Sequence, residues 1–191
     1  DGIRDSSTSR GLGDVYKRQS LANSGGIYLG KKFHFDLVRP GLALYGSVPG
    51  HLQNNLKNCI SLYGRVLQLR EVDKGQVIGY GGTYKLPKKS RIATIGVGYA
   101  DGYQRVLSGS STVFYRGFPL PLVGRISMDS ITVDISSLPD NNLKEGNFVE
   151  LLGKHFTIDQ AASLAQTVPY EMITGLGRRH YRYYNQIKDR L

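Results

Sequence analysis

The stretch Ile78-Gly79-Tyr80-Gly81-Gly82-Thr83-Tyr84, followed by Ile92-Ala93-Thr94-Ile95-Gly96-Val97-Gly98-Tyr99-Ala100-Asp101-Gly102-Tyr103, decides how this sequence is read. Each half sets a tyrosine among small residues at the end of a short apolar run. Glycines flanking a tyrosine let a second backbone or a ligand approach its ring and hydroxyl. A phenol used only for packing wants bulky neighbours, whereas one that meets a substrate wants room. Taken singly, either half reads better as an ordinary turn. The pair, with nineteen positions from Tyr80 to Tyr99, is the more specific signal.

Working outward, the surrounding pattern is that of strands. Ser61 to Val72 is rich in Leu and Val and stops at the turn signal Asp73-Lys74-Gly75. Arg91 to Val97 is a second run, and Thr112 to Tyr115 with Leu120 to Val123 flank Arg116-Gly117 as a hairpin. Ile131, Val133 and Ile135 alternate with polar residues, the clearest half-buried strand in the chain, and Phe148 to Leu152 ends at Gly153. Helix is expected only late. Thr157-Ile158-Asp159-Gln160 fits a capping box ahead of an apolar stripe of Ile158, Ala161, Ala162 and Ala165. Pro169 opens a second short helix that stops near Gly175 and Gly177.

Upstream, Asp36 to Gly46 reads as a buried strand entering a Pro-Gly turn, then a short helix or apolar turn. Polar residues dominate from about Gly50 to Asn58, where a domain boundary is expected. Residues 1–19 are polar and aperiodic and resemble a translated adapter sequence, so they are expected to be a non-native or disordered leader packed on nothing. The natural chain is then expected to be cut at Ser20, with its true beginning absent.

The 191 residues carry 40% hydrophobic side chains, enough for a core, and no run as long as a membrane span. The lone Cys59 excludes an internal disulfide framework, and no secretory signal is visible, so a cytoplasmic setting is expected. The net charge of +10 admits an anionic ligand, but its scatter among acids and glycines argues for a solvated surface rather than a nucleic-acid groove. The four histidines have no spaced partners, so no metal site is expected, and His34, His51, His155 and His180 read as surface or turn residues.

With Pro121-Leu122-Val123-Gly124-Arg125-Ile126-Ser127-Met128-Asp129, the two tyrosine motifs resemble the carboxy-terminal domain of alanine racemases, enzymes that use pyridoxal phosphate. The resemblance extends to Leu37-Val38-Arg39-Pro40-Gly41-Leu42-Ala43-Leu44-Tyr45-Gly46 and to Tyr170 through Arg179, covering Ser20 to about Tyr184. It implies a mainly β fold. Residues 59–184 would form the β-rich C-terminal domain with a small helical element, residues 20–50 the end of an α/β (TIM) barrel, and residues 185–191 a tail.

By the same resemblance, Tyr80 is one of two catalytic bases, the other being a lysine that also holds the cofactor. Ser24, Gly41 and Leu42 would bind the cofactor phosphate, and Arg39 would face its pyridine nitrogen. Met128 would offer its backbone N–H to the substrate carboxylate, Tyr99 is a second active-site tyrosine, and Arg105 and Arg125 would line the substrate's access path. Asp101 and Asp129 are expected to tie down turns or pair with arginine. Where some members carry a tyrosine reaching toward the phosphate, Arg178 stands here, and an arginine could still bind phosphate bidentately.

The implied activity is interconversion of L- and D-alanine for peptidoglycan by a homodimer whose active sites are shared between subunits, with no nucleic acid and no membrane involved. The lysines of this chain lie in surface-like contexts such as Lys31-Lys32 and Lys88-Lys89, so the fragment itself is expected to be inactive. A broad-specificity racemase of the same fold fits the motifs equally well. A decarboxylase of that architecture would need a catalytic cysteine region that is not found around Cys59. A basic β-barrel binding single-stranded nucleic acid would use the 13 tyrosines and the charge, but it needs them on one sheet face, and they fall at turns and strand ends.

Overall fold

The structure is a computed structural model that describes residues 18–48, 55–139 and 142–185. Among these residues, eight strands and three α-helices run in the order α1 (Ser24–Tyr28), β1 (Leu62–Val72), β2 (Val77–Ile78), β3 (Tyr84–Lys85), β4 (Ser90–Ile95), β5 (Thr112–Tyr115), β6 (Phe118–Pro121), β7 (Ile131–Asp134), β8 (Phe148–Leu152), α2 (Ile158–Leu164) and α3 (Pro169–Gly175). Six strands form one antiparallel sheet in the order β6-β5-β8-β1-β4-β7, while β2 and β3 make a separate ribbon. Just past β6, Leu122 bridges Val133 of β7, and the N–H of Val123 donates to Thr132 O at 2.9 Å. The two sheet edges therefore meet, and the sheet curls into a barrel with no open edge at that seam.

The long strand β1 is what lets the five shorter strands of the sheet close with it. Its first part pairs with β8 and its second with β4, with a register shift between Val66 and Gln68. Such an irregularity bends a strand and sharpens its twist, as a barrel wall requires. Alternating residues of each strand point inward, so Val66, Ile95, Val113, Leu120, Val133 and Leu151 fill one core. Ile158, Ala161 and Met172 of the paired α2 and α3 extend that core over one end. Tyr103 lies fully buried within it, its hydroxyl 2.5 Å from Ser111 Oγ, and burial raises its pKa to about 12.

Most expected elements appear near their expected ends. The hairpin turn at Arg116-Gly117 has positive φ at both residues (51° and 85°), the two-residue geometry that matches strand twist, and its second arm begins at Phe118 rather than Leu120. Thr157 Oγ1 accepts from Gln160 N at 3.2 Å while Gln160 Oε1 accepts from Thr157 N at 2.8 Å, completing the capping box. Three expectations fail. Helix is not confined to the end of the chain, because α1 forms early, capped by Asn23, whose side chain accepts from Gly26 N. Its two glycines hide it from propensity reasoning. The strand read within Asp36 to Gly46 is a single parallel bridge between Asn23 and Arg39, with Leu37 exposed. Gln19 is not free of contacts: it donates to Asp36 Oδ2 and accepts from the N–H groups of Asp36 and Leu37. Residues 1–17 of the expected leader, most of the polar stretch around the expected boundary with His51, and the tail from residue 186 lie outside the described residues.

Candidate active site

Tyr80 sits in the connection of the β2–β3 ribbon, a tight turn over Tyr80–Gly82 in which Gly79, Gly81 and Gly82 all have positive φ. Gly79 has a second reason to be glycine: a Cβ there would lie 2.7 Å from Arg125 N and 2.9 Å from Gly124 Cα. The Tyr80 turn thus rests directly on the backbone of the Gly124–Met128 loop, and the Arg125 guanidinium reaches back to 3.9 Å from a Cβ built on Gly81. Ile126, 1% exposed, anchors this loop in the core, and Arg125 and Met128 face solvent.

The second tyrosine motif meets the same loop from its other side. A Cβ on Gly98 would stand 2.3 Å from Met128 O, so only a residue without one allows the two backbones to touch. Tyr99 N donates to Ser127 O and Ala100 N to Met128 O, each at 3.0 Å. Arg105 follows in a short helical turn whose Ser108 Oγ donates to Arg105 O and accepts from Ile126 N at 3.0 Å. The structure therefore brings Tyr80, Tyr99, Arg105, Arg125 and Met128 onto one group of loops. Tyr80 is 69% exposed, Met128 53% and Tyr99 43%, an unusual display for large apolar and aromatic side chains in adjoining loops.

The expected cofactor residues form a second group near α1. Ser24, fully buried, accepts N–H hydrogen bonds from Gly41 at 3.0 Å and Ala43 at 3.1 Å. Leu42, between these two donors, begins the Leu42–Tyr45 turn with its side chain buried at 1% exposure. A Cβ built on Gly41 meets nothing within 4 Å, so this side of the cradle is open. The Ser24 hydroxyl, the first turn of a short helical segment and an uncrowded glycine thus lie together, the residue types that suit a phosphate. Arg39 is held at the adjoining bridge, its Nη1 donating to both Ser20 O and Ser20 Oγ at 2.6 Å.

One residue went unassigned in the sequence. Arg179 ends the Tyr170–Arg179 stretch with no role of its own in the sequence reading, yet its Nη2 donates to Asp129 Oδ1 at 2.6 Å and its Nε lies 3.4 Å from Asp101 Oδ1. The hydrogen bond to Asp129 and the charge of Asp101 raise its pKa further above the ordinary guanidinium value. The signal for it was the pair of acids, which anticipated an arginine partner without naming it. Arg178, beside it, is exposed. Among the histidines, His155 packs on the Phe114 ring and approaches Glu150 at 3.2 Å, and His180 Nε2 meets Asp101 O at 2.6 Å. Among the described residues no group of His, Cys, Asp and Glu is placed to hold a metal, and no helix is long and apolar enough to cross a membrane.

Residues 59–184 match the family described as alanine racemase, C-terminal domain, and residues 9–49 match alanine racemase, N-terminal domain. The second match begins inside the stretch read as a leader. The chain is 48% identical to the alanine racemase of Brucella canis, covering 86% of this chain and 45% of that protein. It is 47% identical to a catabolic alanine racemase of Rhizobium johnstonii, covering 86% and 44%. Among solved structures, alanine racemase from Bartonella henselae with covalently bound pyridoxal phosphate superposes with a TM-score of 0.81 at 45% identity, over 88% of this chain and 47% of that one. The biosynthetic enzyme of Pseudomonas aeruginosa gives 0.82 at 37%, over 89% and 48%. The chain spans about half the length of the curated relatives it matches. Its fold, the order of its motifs and these similarities agree, and the chain belongs to the alanine racemase family.

Proposed function

We propose that this chain forms the carboxy-terminal part of an enzyme that interconverts L- and D-alanine with pyridoxal phosphate. The observation that carries the reading is the convergence of Tyr80, Tyr99, Arg125 and Met128 on loops fastened by the Gly79–Gly124 and Gly98–Met128 contacts. Racemisation removes a weakly acidic α-proton and returns one from the other face, so it needs two bases on opposite faces. Pyridoxal phosphate, when bound, supplies the electron sink. Ser24 and the N–H groups of Gly41 and Leu42 would hold its phosphate, and Arg39, which can only donate, would hold its ring nitrogen. Tyr80 would carry the proton on one face of the substrate, with the Met128 N–H on the carboxylate and the Arg105 and Arg125 charges drawing anionic substrate in.

The exposure of Tyr80, Tyr99 and Met128 supports a site completed by a second subunit, hence a homodimer in which the loops of one copy face the barrel of the other. A cytoplasmic enzyme providing D-alanine for peptidoglycan is the setting we infer. An amino-acid racemase of wider specificity would use the same loops.

The test joins residues 20–185 to the preceding barrel of the Bartonella henselae enzyme and measures alanine racemisation. Tyr80→Phe keeps the ring but loses the only group there able to move a proton, so turnover should fall about 100-fold or more. In deuterated solvent, α-hydrogen exchange should be nearly lost from L-alanine and partly retained from D-alanine. Equal loss from both enantiomers would make Tyr80 a general support and Tyr99 the better base.

A further inference from the structure

The segment after α3 passes back over the loops that carry Tyr99 and Met128. Gly102, left-handed at φ 94°, lies so close to Gly175 that a Cβ would stand 2.1 Å from Gly175 O. His180 Nε2 meets Asp101 O at 2.6 Å. Between these contacts, the Arg179 side chain reaches two carboxylates from different loops, Asp129 at 2.6 Å and Asp101 at 3.4 Å. Asp101 is 8% exposed, and its other oxygen accepts the Gly98 N–H at 2.9 Å. Arg179 is thus one step from Gly98, which precedes Tyr99, and it binds Asp129, which follows Met128.

These connections have a direction. The Tyr99 turn and the Met128 loop are already sewn together by Tyr99 N to Ser127 O and Ala100 N to Met128 O. Two carboxylates within reach of one guanidinium would otherwise repel each other across that seam. The planar fork of arginine presents divergent N–H groups to two acceptors, which a single ammonium on a flexible stem cannot match. We propose that Arg179 is a positioning residue of the active site, clasping Asp101 and Asp129 and so fixing the Tyr99 turn against the Met128 N–H. The inference rests on the reading that these two loops face substrate.

Two measurements test it. In the 191-residue chain, Arg179→Met should speed amide hydrogen exchange at Tyr99 and Ala100 by about tenfold or more, a local opening, while amides of β4 and β7 keep their protection. Arg179→Lys retains charge for one carboxylate and should fall between the two. If Arg179→Met fails to fold, Asp129→Asn removes one arm of the clasp at an exposed residue and should speed exchange at the same two amides. In the protein joined to a barrel, Arg179→Met should raise KM for alanine by about tenfold and lower kcat by less, since binding geometry rather than the proton carrier is disturbed, with Arg179→Lys partly restoring KM. Unchanged exchange at Tyr99 and Ala100, or a uniform rise that includes β4 and β7, would overturn the clasp. So would a fall in kcat with KM unchanged. Local exchange changes in a protein that never racemises alanine would sink the functional reading and leave the clasp standing.

Discussion

At the scale of single residues, the chain separates tyrosines by what surrounds them. Tyr80 and Tyr99 are exposed on glycine-rich turns, while Tyr103, four positions after Tyr99, is fully buried against Ser111. Burial opposes the charged form, so its pKa rises from 10.0 to about 12. Unfolded, this phenol ionises near its ordinary value; folded, it keeps its proton longer. The stability it lends is therefore fully present below the unfolded pKa and is lost as pH climbs through the folded one, by up to about 2–3 kcal/mol. Tyr103→Phe should cost about 1 kcal/mol at neutral pH, from the lost bond to Ser111. It should also flatten the fall of the urea midpoint above about pH 10, the ordinary phenol value. An unchanged slope would mean that Tyr103 does not control alkaline unfolding. That Tyr80 and Tyr99 would stand apart from packed tyrosines was legible in the sequence, because small neighbours mark them. Arg179 was not, since one of two adjacent arginines gives no local sign of the acids it will meet from loops 50 or more residues away.

Among elements, the loops and not the strands set the site, and main-chain contact sets the loops. Gly98 has extended backbone geometry open to any residue, so the objection to a side chain there is purely steric. Gly98→Ala would drive a methyl into Met128 O and should destabilise the domain by about 1–3 kcal/mol, as overpacking does. Gly41→Ala, where nothing lies within 4 Å, should change stability by less than about 0.5 kcal/mol. Chemical unfolding of the two variants compares them directly; equal effects would deny that the Gly98 contact is tight. The regular elements were readable wherever period and punctuation agree, as in β7, β8 and the capped α2. The β2–β3 ribbon escaped, since two residues per strand carry no period. The early helix escaped because Asn23 caps a segment whose composition, Ser-Gly-Gly-Ile-Tyr, argues against helix.

For the molecule as a whole, the two buried clusters among the described residues draw their members from Leu62 onward. Residues 18–48 reach the barrel side through contacts such as Ser47 Oγ with Asp159 and Cys59 N with Tyr45 O. We therefore expect residues 59–185 produced alone to unfold cooperatively, with amide protection in β1, β4 and β8 equal to that in the longer chain. Loss of that protection would make the first segment part of the same folding unit. The barrel's seam was not legible in advance, because closure depends on how Leu122 and Val133 meet across a loop, and alternation within a strand says nothing about which edges join. One consequence of the main-chain ties between the Tyr99 turn and the Met128 loop concerns inheritance. Since Ser127 and Met128 hold their partners through carbonyl oxygens, the side chains at positions 125 and 128 are released from keeping the loops together. A lineage can exchange them without rebuilding the scaffold, whereas Gly79 and Gly98 have no such latitude. Divergence should therefore run faster at positions 125 and 128 than at Gly79 and Gly98.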